Sequence, residues 1–134
     1  MSTAMTVLHG ALDTFWSQFE YSAVDIPAHP INKVPSTATY PYITYDPIVT
    51  EPFGETLSTA FVWVKREGLW DVQLAAILDS IAAAIPTQGV AVSLTGGHLI
   101  LTRNPANFQS YYDDPNDPTI AGGRVSYFIR SYNL

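Results

Sequence analysis

The chain has 134 residues and no cysteine, and its 12 acidic and 6 basic residues give a net charge of −6 at pH 7. Disulfides and thiolate metal sites are excluded, and the acidic balance argues against a nucleic-acid-binding protein, which needs clustered lysine and arginine. Only 13% of the residues are charged while 47% are hydrophobic, so we expect a single domain that covers part of its neutral surface by contact with other protein subunits.

The first half of the chain is predicted to contain a helix, an arm and two strands. Apolar residues recur every three or four positions over residues 3–19, which indicates a helix with one buried stripe. Residues 21–39 contain three prolines, and because proline interrupts helices and strand ladders alike, we predict an extended arm there. Residues 40–45 and 56–65 are rich in aromatic and β-branched residues and are predicted strands.

The strand predicted for residues 56–65 is apolar on both faces. Alternation places Phe61 and Trp63 on one face and Val62 and Val64 on the other. We therefore expect both faces to be covered, one of them by a neighbouring subunit.

The second half begins with an alanine-rich helix predicted for residues 69–85. Its two aspartates indicate a helix in a soluble domain, without a membrane partner, and its alanines suit packing on two sides. Residues 104–123 are predicted to form a long acidic loop, and residues 124–132 the last strand.

Residues 90–103 are predicted to form a hairpin around Gly96 and Gly97. A two-residue turn there pairs Leu94 with Leu99 and keeps the apolar residues on one face. A single bent strand with a glycine bulge is the alternative. The order of all these elements predicts an α+β domain with a mainly antiparallel, four- to five-stranded sheet and two helices packed on one face.

No set of residues in the sequence carries catalytic chemistry. The three histidines share no metal-ligand spacing, and the glycine pairs lack the lysine of a P-loop. The acidic turn at residues 113–117, DDPND, offers oxygen ligands to calcium but lacks the glycine and glutamate of an EF-hand, so a solvated loop is expected. We expect neither an enzyme nor a cofactor. A small-molecule-binding domain is the alternative, and it requires Asp71, Arg103 or Arg130 to converge in a pocket.

Four segments resemble one known family in their order and length. They are YPYI at residues 40–43, VWVKREG at 62–68, LTGGHL at 94–99 and RVSYF at 124–128. With the two helices, they are similar to the tail terminator and tail-to-head joining (tail completion) proteins of long-tailed bacteriophages over nearly the whole chain.

The resemblance implies a structural virion subunit that assembles in the host cytoplasm into a hexameric ring. Such a ring caps the tail tube protein, faces the head connector or stopper protein, and lets DNA pass through its channel without catalysis. The longer arm and the long acidic loop depart from the family pattern, so a head-completion or stopper protein of the same phage neck stays open as the alternative.

Two groups of residues are candidates for contacts within such a ring. Tyrosine and tryptophan are favoured at interfaces, and the candidate subunit contacts are Ile31, Val34, Tyr40, Tyr42, Phe61, Trp63, Phe108, Tyr111 and Tyr112. An acidic channel lets DNA slide without adhesion, and the candidate channel residues are Glu51, Glu55, Asp113, Asp114 and Asp117.

Overall fold

The computed structural model describes residues 4–46, 55–94 and 97–132, and most of its regular structure is strand. In chain order the elements of these ranges are α1 (Ala4–Trp16), β1 (Glu20–Tyr21), β2 (Val24–Asp25), β3 (Ala28–Pro30), β4 (Tyr42–Tyr45), β5 (Glu55–Lys65), α2 (Trp70–Ala84), β6 (Val90–Leu94), β7 (Gly97–Arg103), β8 (Gln109–Asp113) and β9 (Ile120–Tyr132). Both predicted helices and the long central strand are confirmed.

Seven of these strands form one curled, mixed sheet with the shape of a half-barrel. The strand order is β3-β4-β5-β9-β7-β6, and β8 pairs with β9 beyond the end of β7. β3 runs parallel to β4, and the other neighbours are antiparallel. β1 and β2 form a separate two-stranded sheet.

The predicted α+β fold with a four- to five-stranded sheet is therefore wrong, because strands make up 44% of the chain. β3 lies within the predicted arm, β8 lies within the predicted loop, and β9 begins at Ile120 instead of residue 124. β3 and β8 each pair with only one neighbour. Backbone hydrogen bonds alone can hold such edge strands, so their sequences need no apolar alternation. Within the predicted loop, residues 114–119 form the connection between β8 and β9.

The core lies on one face of the sheet, here called the inner face, which carries Val62, Val125 and Tyr127. α1 packs here and contacts both β3 and β6, the two ends of the strand order. The fully buried Trp16 of α1 donates its indole N–H to the Tyr127 hydroxyl at 3.2 Å. α1 thereby fills the open side of the half-barrel with an apolar stripe, as its three-and-four spacing predicts.

α2 also packs on the inner face, through Leu74, Ile77 and Ile81. A Cβ atom at Gly123 of β9 would lie 2.8 Å from the side chain of Leu78, so glycine at this position allows the helix to approach the sheet closely. The opposite side of α2 is open within the described residues. No helix in the described part of the chain is long and apolar enough to cross a lipid bilayer.

The predicted β6–β7 hairpin is confirmed, but its predicted register is wrong by two residues. Leu94 pairs with Gly97, and Leu99 pairs with Val92. A shift of two residues leaves every side chain on the same face, so the apolar pattern cannot distinguish the two registers. Residues 95 and 96, which connect the strands, lie outside the described ranges.

Candidate protein interface

The face of the sheet opposite the core, here called the outer face, carries a row of aromatic residues. Tyr42 of β4 pairs with Trp63 of β5, Trp63 pairs with Gly122 of β9, and Gly122 pairs with Tyr112 of β8. Partners in register point to the same side of a sheet, so these residues cross four strands in one line. Each of the three aromatic side chains is partly exposed.

Phe61 completes this group, and the four aromatic residues are called the aromatic cluster below. The rings of Phe61 and Trp63 stack with centroids 5.4 Å apart and planes 18° from parallel. Tyr112 meets both rings edge-on, at 5.1 Å from Phe61 and 5.6 Å from Trp63. Stacked and edge-to-face pairs add stability beyond the area they bury, so Phe61, Trp63 and Tyr112 form one packed aromatic surface.

The indole of Trp63 is held in place by its two neighbours on the outer face. Its N–H donates to the Thr44 hydroxyl at 3.0 Å. A Cβ atom at Gly122 would lie 3.1 Å from the six-membered part of the indole, so any larger residue would require the ring to shift by a few tenths of an ångström. The sequence predicted Gly122 to lie in a flexible loop, and this role was missed.

A groove of about 210 Å³, here called the outer groove, opens beside the aromatic cluster. Its walls combine residues of the arm, three strands and the acidic turn, namely Ile31, Val34, Tyr40, Tyr42, Thr44, Trp63, Asp114 and Ile120. Five of the nine candidate contact residues thus meet in one place. Thr44 was missed, although its spacing of two from Tyr42 in a strand predicts the same face.

One carboxylate and one ammonium group lie close to the aromatic walls of the outer groove. Burial, the neighbouring Tyr40 hydroxyl and the Asp114 carboxylate together raise the pKa of Tyr42 to about 12. Asp114 accepts a hydrogen bond from the backbone N–H of Asn116 at 2.9 Å. The Lys65 ammonium lies 5.4 Å from the centre of the Tyr40 ring, within the range of a cation–π contact.

Two candidate contact residues lie away from the aromatic cluster. The Tyr111 hydroxyl accepts a hydrogen bond from the Arg66 guanidinium at 2.6 Å, and the same guanidinium forms an ion pair with Asp113. Phe108 packs against the core, with the Arg103 guanidinium 4.6 Å from its ring. The sequence alone could not distinguish these two residues from those of the aromatic cluster, because their position depends on the strand with which β8 pairs.

The candidate channel acids do not form a single group. Glu55 begins β5 opposite Arg130, whereas Asp113, Asp114 and Asp117 lie near the other end of that strand. At about 3.3 Å per residue the two ends of β5 are roughly 30 Å apart. Hydrogen bonds from the Thr119 hydroxyl and backbone N–H lower the pKa of Asp117. Glu51 lies outside the described residues.

Asp71 and Arg103, two of the three residues proposed for a small-molecule site, do not converge either. Arg103 donates to the carbonyl oxygens of Ile85 at 2.5 Å and Ala82 at 2.7 Å, and so satisfies the C-terminal end of α2. Asp71 lies in the first turn of α2, roughly 20 Å away at 1.5 Å per residue. Within the described ranges, no group of three or more histidines and acids is arranged to hold a metal ion.

Comparison with known proteins adds no relative to this description. No protein-family model matches the chain, and no curated protein matches it. Its function is therefore inferred from the chemistry of the outer face.

Proposed function

We propose that this chain is a structural subunit that docks onto other proteins through the aromatic cluster and the outer groove. The observation that carries the proposal is that four aromatic residues lie together on the outer face and are still partly open to water. Exposed apolar patches on folded domains mark interaction sites. Tyrosine and tryptophan supply much of the binding energy at interface centres, and the aromatic cluster contains both residue types.

A contact of standard size takes up a modest share of the chain's exposed surface. A standard interface covers about 800 Å² on each partner, and the exposed surface of the chain is 7352 Å², so one such contact needs about a tenth of it. Exposed apolar residues extend the cluster on both sides, with Leu57 54% exposed and Ile31 52% exposed. Burial of apolar surface contributes about 25 cal/mol per Å², which makes covering this face favourable.

The specific proposal is a ring-forming subunit that caps the tail tube of a long-tailed bacteriophage and joins it to the head connector. The family resemblance and the low charge content support it. A closed ring needs two different surfaces on each subunit. The outer face supplies one, and the exposed Leu69 and Val72 at the start of α2 supply an apolar part of another. DNA passes through the channel, and the mature protein belongs to the virion.

In the alternative proposal, this chain is a different component of the phage neck, a head-completion or stopper protein, and docks through the same outer face. The two proposals differ in where the chain sits between tail and head. They share the prediction that the outer face is covered in the assembled particle.

Electron microscopy of virions of the phage that encodes this chain, labelled with an antibody against the chain, tests the proposal. We expect label at the end of the tail tube that faces the head. Label confined to the portal side supports the alternative neck protein in place of the tail terminator. Absence of the chain from purified particles overturns both.

A further inference from the structure

The outer groove places aromatic rings beside a carboxylate. Tyr40, Tyr42 and Trp63 form much of its wall, and Asp114 stands at the same groove. We propose that the outer groove binds the guanidinium group of an arginine side chain presented by the docking partner. This rests on the proposed function only in that the partner is a protein that covers the outer face.

The aromatic walls attract a cation. The Tyr40 and Tyr42 rings lie 5.0 Å apart with their planes 49° from parallel, so they form two adjoining walls. The hydrogen bond from the Trp63 indole N–H to Thr44 favours the orientation in which Trp63 lines the groove. The negative face of an aromatic ring holds a cation within about 6 Å. Lys65 already lies 5.4 Å from the Tyr40 ring without lining the groove, which shows that this ring accepts a positive neighbour.

The carboxylate of Asp114 gives the groove its charge preference. It lines the groove together with Tyr40, Tyr42 and Trp63, and it contributes to the raised pKa of Tyr42. Within the described residues it forms no ion pair, and its observed hydrogen bond comes from the Asn116 backbone. A cation that enters the groove therefore meets a carboxylate that is free to accept further hydrogen bonds.

Size and shape favour an arginine side chain over a free metabolite. Sites for drug-sized ligands enclose about 300 to 1,000 Å³, and this groove has about 210 Å³. Guanidinium is planar, stacks on aromatic rings and is less strongly hydrated than ammonium. The net charge of −6 also attracts a basic partner at long range.

Binding of a small probe to the isolated protein tests this inference. N-acetyl-arginine amide is titrated against the full chain while the indole N–H signal of Trp63 is followed by NMR, with the signal assigned from Trp63→Phe. N-acetyl-citrulline amide, which has the same shape and no charge, is the matched control ligand. We expect a saturable shift of the Trp63 signal at millimolar arginine amide and a response at least roughly threefold weaker with citrulline amide.

Two neighbouring acids supply matched variants. Asp114→Asn keeps the acceptor oxygen for Asn116 and removes the charge, and Asp117→Asn does the same for the oxygen that accepts from Thr119. We expect Asp114→Asn to weaken arginine amide binding by roughly threefold or more, and Asp117→Asn to leave it nearly unchanged. Equal binding of both ligands, equal effects of both variants, or no Trp63 response overturns the inference.

These outcomes are separate from those of the proposed function. If the groove ignores arginine amide while virions still carry the chain at the tube end, the arginine site is wrong and the docking subunit stands. If the groove binds the probe but the chain is absent from particles, the arginine site stands and the phage assignment is wrong.

Discussion

Gly122 lies between Trp63 and Tyr112 in the outer row, and the two rings meet edge-on above it with centroids 5.6 Å apart. The next residue, Gly123, lies against the Leu78 side chain on the inner face, where a Cβ atom would also have no space. Two consecutive glycines inside β9 therefore let aromatic rings lie against one side of the strand and α2 against the other. A glycine pair that is typical of a loop in the sequence therefore allows close packing on both faces of the sheet.

Substitution of Gly122 by alanine is expected to disturb the aromatic cluster. The new Cβ would lie 3.1 Å from the indole and 3.1 Å from the Val62 carbonyl oxygen. Because the indole is bonded to Thr44 and the backbone of β5 cannot move alone, we expect a loss of about 1 kcal/mol in the free energy of unfolding. Urea denaturation measures it. Gly10→Ala in α1, where nothing lies within 4 Å, is the control and should stabilise by up to about 1 kcal/mol. A similar gain for both variants would contradict the packing role.

Two adjacent residues of β5 should separate stability from docking. Val62 is fully buried, so Val62→Ala should reduce the free energy of unfolding by roughly 2 kcal/mol. Phe61 is partly exposed on the outer face, so Phe61→Ala should cost roughly 1 kcal/mol. If the outer face docks, Phe61→Ala should nevertheless lower incorporation into virions by roughly tenfold or more.

Quantitative immunoblotting of purified particles, beside denaturation curves of the isolated variants, checks this reversal. Incorporation that simply follows stability, with Val62→Ala the more defective, would argue against docking through the outer face.

The free energy of unfolding is expected to fall at alkaline pH because of Tyr127. Burial raises the pKa of this fully buried residue to about 12, while an unfolded tyrosine has a pKa of about 10. Between these values the unfolded chain releases a proton that the folded chain keeps, so stability decreases as pH rises. The loss from Tyr127 should reach roughly 1 kcal/mol near pH 11 and 2 to 3 kcal/mol above pH 12.

Tyr127→Phe isolates this contribution. The variant leaves the Trp16 indole N–H without its partner, which should lower stability by about 1 to 3 kcal/mol at neutral pH. Its further loss between about pH 9 and pH 11 should be smaller than that of the parent by roughly 1 kcal/mol. Parallel curves of urea midpoint against pH for the two proteins would rule out Tyr127 as the source.

Arg103 is expected to support the C-terminal end of α2. Its guanidinium donates to two carbonyl oxygens of that end, those of Ala82 and Ile85, which have no partner within the helix. Arg103→Met keeps the aliphatic stem and removes these donors, and should cost about 1 to 3 kcal/mol in thermal unfolding. Arg124→Met, at an exposed position of β9, is the charge-matched control and should stay within about 0.5 kcal/mol of the parent.

Much of the candidate site could be found from the alternation in β5. Phe61 and Trp63 were assigned to one face and Val62 and Val64 to the other, and the structure has the same division. Alternation requires nothing beyond the geometry of a strand. It could not reveal that Tyr112 joins the cluster, because Tyr112 lies in β8, far from Phe61 and Trp63 in the sequence. Tyr112 reaches the cluster only through the pairing of β8 with β9, where its partner is Gly122.

The sequence by itself determined where the two helices and the long central strand lie, and that one face of that strand is aromatic. These features follow from local spacing, which repeats every three to four residues in a helix and every two in a strand. Only the tertiary structure decided the half-barrel, the places of β3 and β8, and the strand role of Gly122 and Gly123. An edge strand forms where a neighbouring strand offers free backbone N–H and C=O groups. A glycine is needed where a neighbouring side chain leaves no space for a Cβ atom. Both depend on residues far away in the chain.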